Sequence, residues 1–150
     1  MLRFFRTFLT TISEERYKDD NDIIIAHFPE VTTIRYRAFE NCRSFEIADF
    51  PQAKTIGEAA FIGCEKLREI HFPQVKTIGE AGFSGCTKLR EIHFPQVTTI
   101  KFGAFIWCGN LITADFPQAK TITYRAFESC QNLLIADFPQ ATTIAAAAFS

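Results

Sequence analysis

Six prolines lie at positions 29, 51, 73, 95, 117 and 139, each preceded by phenylalanine and each 22 residues from the next. A period this strict limits the chain to a stack of like units, because self-similarity at 20 to 50 residues is the signature of a solenoid. The five cysteines keep the same step (42, 64, 86, 108, 130), as do seven Thr-Ile pairs starting at Thr11, Thr33, Thr55, Thr77, Thr99, Thr121 and Thr143. A further column holds Tyr17, Phe39, Phe61, Phe83, Phe105, Phe127 and Phe149, so twelve of the seventeen phenylalanines fall in two columns. Counted from the Phe before each proline as position 1, the unit reads F-P-Q-V/A-x-T-I-x-x-x-A-F-x-x-C-x-x-L-x-x-I/A-x.

The period divides the chain into an N-terminal cap with a degenerate repeat (1–27), then a solenoid (28–150). The solenoid comprises full coils 28–49, 50–71, 72–93, 94–115 and 116–137 and a partial coil 138–150. In the cap, Leu2, Phe5, Leu9 and Ile12 stand at helical spacing with Phe8 alongside, which predicts a cover over the first coil. Within each coil, residues such as Glu91-Ile92-His93-Phe94 alternate as a strand does, with Glu91 and His93 outward and Ile92 and Phe94 inward. Pro95 cannot donate to a ladder and ends it. Thr55-Ile56-Gly57-Glu58 and Thr77-Ile78-Gly79-Glu80 fit a capping box, which predicts a short helical stretch leading to the second aromatic column. The expected fold is an α/β repeat solenoid, with a parallel sheet on the concave face and short helices or 3-10 turns on the convex face. Identical residues should then stack about 4.8 Å apart.

These residues resemble the BspA-like leucine-rich repeats of bacterial and protozoan surface proteins, over roughly 23–149. The resemblance implies an adhesin-type, protein-binding module without catalytic residues, and a surface or secreted location.

A net charge of −1 supplies no whole-molecule field for nucleic acid or an anionic membrane. No apolar run approaches the roughly 18 to 20 residues of a spanning helix. The opening Met1–Leu9 stretch is interrupted by Arg6 and shows no cleavage site, so no signal peptide is read, and a cytoplasmic location is the default. Cysteines never closer than 22 residues lack the short pairs of a metal site and read as structural thiols.

His27, His71 and His93 share position 22 with Asp49, Asp115 and Asp137, an outward strand site. With Glu69 and Glu91 two positions earlier, the expectation is a compact cluster of Glu69, His71, Glu91 and His93 flanked by Asp49 and Asp115. That cluster reads first as part of a protein-recognition surface running to Asp137, and only remotely as a metal or catalytic centre. No nucleophile or phosphate-binding loop accompanies it, and no cofactor is implied. The glutamines at position 3 (Gln52, Gln74, Gln96, Gln118, Gln140) suggest an amide ladder. At the other end, Leu134, Ile135 and Phe149 lack polar cover, which predicts self-association, such as a homodimer, through that edge.

Overall fold

The computed structural model describes residues 3–4 and 9–150, the side chains over 9–150. The chain winds as a stack of coils whose paired strands are all parallel, with partners 22 residues apart except at Arg3–Phe4, where the step is 23. One set of strands is β1 (Arg3–Phe4), β3 (Ile25–His27), β5 (Ile47–Asp49), β7 (Glu69–His71), β9 (Glu91–His93), β11 (Thr113–Asp115) and β13 (Ile135–Asp137). The other is β2 (Thr11–Ile12), β4 (Thr33–Ile34), β6 (Thr55–Ile56), β8 (Thr77–Ile78), β10 (Thr99–Ile100), β12 (Thr121–Ile122) and β14 (Thr143–Ile144). The first set lies where the alternation of position 20 to position 22 puts it. The second, a continuous seven-stranded sheet, was not anticipated.

Thr-Ile therefore starts a strand rather than capping a helix, and no helix occurs among the described residues. The reason is spacing. A helix is about 10 Å across and cannot repeat at the strand interval of about 4.8 Å. The chain instead sends alternate N–H groups along the stack. Ala59, Phe61 and Gly63 donate to Glu80, Gly82 and Ser84 of the next coil at 2.8 Å, while Ala60, Ile62 and Cys64 close turns to Gly57, Ala59 and Phe61. This alternation needs a left-handed residue at positions 10 and 14, and positive φ is found at Ala59 (51°) and Gly63 (71°), Ala81 (51°) and Gly85 (73°), Gly103 (57°) and Trp107 (61°). Positive φ at the third residue of each turn is the type II signature.

At the start of the chain, β1 pairs in parallel with β3, and Ile12 belongs to β2. The helical cap expected there is therefore not formed at Arg3–Phe4 or at Ile12, while Leu2, Phe5 and Phe8 lie outside the described residues.

The core is two phenylalanine ladders. Phe28, Phe50, Phe72, Phe94 and Phe116 form one, and Phe39, Phe61, Phe83, Phe105 and Phe127 the other, all at most 2 % exposed. In the second ladder successive rings stack at 5.1 to 5.5 Å, and rings of the two ladders meet edge-on or tilted at 5.7 to 6.4 Å. Offset stacks and edge contacts are the arrangements aromatic quadrupoles favour. The cysteines complete each coil: Cys64, Cys86 and Cys108 are buried, and their thiols donate to the carbonyls of Phe39, Phe61 and Phe83 at 3.0 to 3.2 Å. Burial pushes these three thiols well up from the usual value, and Cys130 up to about 12. These four cysteines are packing groups, each with a hydrogen bond to a main-chain carbonyl.

One junction is different. Among the described residues the first strand set is two sheets, β1-β3-β5-β7 and β9-β11-β13, with a seam between β7 and β9. On the opposite side β8 and β10 share a single register pair, Ile78 with Ile100, where β10 and β12 share two. The first phenylalanine ladder stretches here as well: Phe72 and Phe94 are 6.2 Å apart, against 5.2 to 5.4 Å for Phe28–Phe50, Phe50–Phe72 and Phe94–Phe116. Position 21 explains it. Ala26, Ala48, Ala114 and Ala136 occupy it in four coils, but the two coils that meet at the seam carry Ile70 and Ile92. Two branched side chains must share a space the others fill with methyl groups, and Ile70 is left only partly buried. Like charges in register, Arg68 beside Arg90 and Glu69 beside Glu91, add repulsion.

Candidate interaction face

The first strand set presents positions 19, 20 and 22 to solvent because the flanking positions 18, 21 and 1 turn inward, buried in all coils but the last apart from the partly buried Ile70. At position 22 the register joins Asp49 to both His27 and His71, and Asp115 to both His93 and Asp137. Two of these neighbours are hydrogen-bonded: His27 Nδ1 lies 2.5 Å from Asp49 Oδ2, and His93 Nδ1 lies 2.5 Å from Asp115 Oδ2. All four side chains are between one third and two thirds exposed. Pairs in so much water contribute little to stability, on the order of 0 to 1 kcal/mol. Their column is the part of the face whose chemistry changes from coil to coil.

Glu69, His71, Glu91 and His93 are all exposed, and Glu69, His71 and Glu91 line one depression with Asp49. The seam separates the strands that carry them. An open depression of about 770 Å³ lies over that seam, lined among others by Asp49, Arg68, Glu69, Ile70, His71, Arg90 and Glu91, with His93 outside it. Arg68 binds Glu69 and reaches Glu46 Oε2 with Nε at 3.4 Å. Among the described residues no group of three or more His, Cys, Asp or Glu side chains is placed to hold a metal ion. Asp137 and the exposed Leu134 and Ile135 lie on β13 and its approach, the last strand of the set. Phe149 stacks on Phe127 at 5.3 Å and remains 44 % exposed.

The sequence reading overlooked Arg68 and Arg90. Both sit at position 19, where other coils carry Ile24, Glu46, Ile112 and Leu134, and that change of character along one column was the available signal. The glutamine ladder forms at one junction among the described residues: Gln96 donates to Gln74 at 3.0 Å and to the Pro73 carbonyl at 3.1 Å. That junction is the seam, so side-chain amides bridge where the strands do not.

On the turn side, Phe102 and Tyr124 stack at 6.1 Å and Arg125 lies over the Tyr124 ring at 5.1 Å. Trp107 is 59 % exposed. No helix among the described residues is long and apolar enough to cross a membrane.

Comparison with known proteins agrees with this geometry. The family model described as "BspA type Leucine rich repeat region" matches residues 32–150 in six copies. The chain is similar to a leucine-rich cell-surface protein from Faecalibacterium prausnitzii, with 27 % identity and a TM-score of 0.81 over 95 % of this chain and 40 % of that one. A leucine-rich repeat protein from Eubacterium ventriosum shares the fold at 23 % identity and a TM-score of 0.85, over 98 % and 42 % of the two chains. So does the leucine-rich repeat protein of T. pallidum, at 19 % identity and a TM-score of 0.65, over 83 % and 72 %. This chain spans about two fifths of the length of the first two. No curated protein sequence matches it. With six repeats fitting one model across most of its length, the chain belongs to the BspA-type leucine-rich repeat family.

Proposed function

We propose that this chain is a non-catalytic, protein-binding module that offers the face of its first strand set to a partner protein. The observation that carries this reading is an internal contrast. The inward columns stay apolar coil after coil, several with one residue type throughout, while position 22 runs His27, Asp49, His71, His93, Asp115, Asp137 and position 20 runs Ile25, Ile47, Glu69, Glu91, Thr113, Ile135. A solenoid needs its core columns for stacking, and the outward columns are free to be chosen for a ligand. Contacts are assigned to Asp49, Glu69, His71, Glu91, His93, Asp115 and Asp137, with the position-3 glutamines as a rim. The likeness to a cell-surface protein supports a role at a surface.

The test is capture from lysates of candidate host cells by the immobilised chain, compared with a variant carrying Glu69→Ala, His71→Ala, Glu91→Ala and His93→Ala. Loss of a specific captured protein by the variant is expected. Equal capture by both chains contradicts the assignment of this face.

A second reading, association of copies through the last coil, is favoured by the exposure of Leu134 (82 %), Ile135 (56 %) and Phe149 (44 %). Exposed apolar side chains grouped in this way favour association. Light scattering on the wild type and on Ile135→Asp tests it, with unchanged monomer in both as the contrary result.

A further inference from the structure

We infer that the strand face is self-complementary and that its partner is a second copy of this chain, docked face to face with the two stacks running parallel. The inference rests on the proposed use of that face and names the occupant. Positions 19 and 20 form two neighbouring columns. From coil to coil they read Ile24-Ile25, Glu46-Ile47, Arg68-Glu69, Arg90-Glu91, Ile112-Thr113 and Leu134-Ile135. The pattern is apolar at both ends and charged in the middle, where the two central coils carry arginine in the first column and glutamate in the second, with Glu46 preceding the arginines in the first.

A two-fold axis along the stack exchanges the columns and leaves the coil order unchanged. Arg68 then faces Glu69 of the second copy, Arg90 faces Glu91, Ile24 faces Ile25 and Leu134 faces Ile135. A two-fold axis across the stack does the opposite: it sets Arg68 against Arg90 and Glu69 against Glu91 of the second copy, and Glu46 against Ile112. The parallel arrangement opposes each of the four central charges with its opposite and leaves Glu46 over Ile47 as its charged mismatch, whereas the crossed arrangement sets like charges together in both central coils.

Two features of the chain support this occupant. Along each column arginine follows arginine and glutamate follows glutamate across the seam, on strands that are not joined; within one copy Arg68 pairs with Glu69 and Glu46, and an opposed ladder adds an opposite charge to each of the four. The depression of about 770 Å³ over the seam gives these long side chains room to interleave. The turn side bonds coil to coil at 2.7 to 3.4 Å and the strand side at 2.7 to 3.2 Å, so no layer of helices splays it and curls the strand face inward. The face is narrow for a permanent dimer, so association is concentration-dependent and salt-sensitive.

Sedimentation velocity over a concentration series tests the inference with two variants of the full chain. One carries Arg68→Glu and Arg90→Glu, the other Glu69→Arg and Glu91→Arg, and circular dichroism verifies the fold of each. The wild type is expected to dimerise, each variant alone to need at least tenfold more protein, and an equimolar mixture of the two to recover dimer. A wild type that stays monomeric, or variants that dimerise as it does, overturns the inference while leaving capture of a different protein by this face intact. Dimers lost through Ile135→Asp but kept in both charge variants overturn it in favour of the last-coil edge.

Discussion

Replacing Phe105 by alanine removes a ring with no exposed surface and four aromatic neighbours, Phe83 at 5.5 Å, Phe94 at 6.1 Å, Phe116 at 5.8 Å and Phe127 at 5.3 Å. Truncation of a buried phenylalanine destabilises by about 3 to 5 kcal/mol. The upper half of that range is expected, because hydrogen bonds along both strand sides and the turn side hold the coils apart and keep the cavity from collapsing. A chain of this length has on the order of 10 kcal/mol of stability, so Phe105→Ala should remove nearly half. Phe149→Ala is the internal control. That ring is 44 % exposed and meets only Phe127 and Phe138, and its loss is worth about 1 kcal/mol by area. Urea denaturation followed by circular dichroism measures both. A loss at Phe105 below about 1.5 kcal/mol, or equal to that at Phe149, would refute a continuous aromatic interior.

Trp107 holds a positive φ of 61° at a position where other coils use Asn41, Gly63 and Gly85, and its ring is mostly in solvent. Trp107→Gly should therefore raise stability by roughly 0.5 to 1 kcal/mol, read as a higher Tm, and a drop of that size would show the indole to be well packed. The buried thiols predict alkaline sensitivity. Burial raises the folded pKa of Cys64, Cys86, Cys108 and Cys130 above the unfolded value. Their contribution is therefore complete below the unfolded thiol pKa of about 8.5 and is lost as pH rises beyond it, at roughly 1.4 kcal/mol per unit for each thiol. Melting curves from pH 8 to 10.5 should fall less steeply for Cys86→Ala with Cys108→Ala than for the wild type, and parallel curves would contradict the burial argument. At the seam, the Arg90 amide should exchange with solvent at least tenfold faster than those of Arg68 and Ile112, which donate to Glu46 and Arg90 at 3.0 and 2.8 Å. Equal protection by hydrogen-exchange NMR would mean that the strands are joined.

The stack and its interior were legible because proline and phenylalanine repeat without a slip, and a period of 22 leaves few ways to bury two aromatic columns. The turn side was misread for a definite reason. Thr-x-x-Glu is a local signal, and what decides the conformation is the stacking interval, which no single coil reveals. The left-handed positions were equally hidden, since Ala59, Ala81 and Trp107 occupy sites that in another coil would be marked by glycine. The seam was written at position 21, in two isoleucines among alanines. It could be read only once the narrowness of the coil at that point was known. The thiol-to-carbonyl bonds needed coordinates, because Cys64 and Phe39 are 25 residues apart and sit one coil out of step.

Methyl contacts in an isoleucine-labelled sample test the in-register stack most directly. Ile34, Ile56, Ile78, Ile100 and Ile122 follow one another along the second sheet. Each should show nuclear Overhauser contacts to the isoleucine of that series before it and the one after it. Contacts that skip a coil, or isoleucines of this series that see none of the others, would contradict the account.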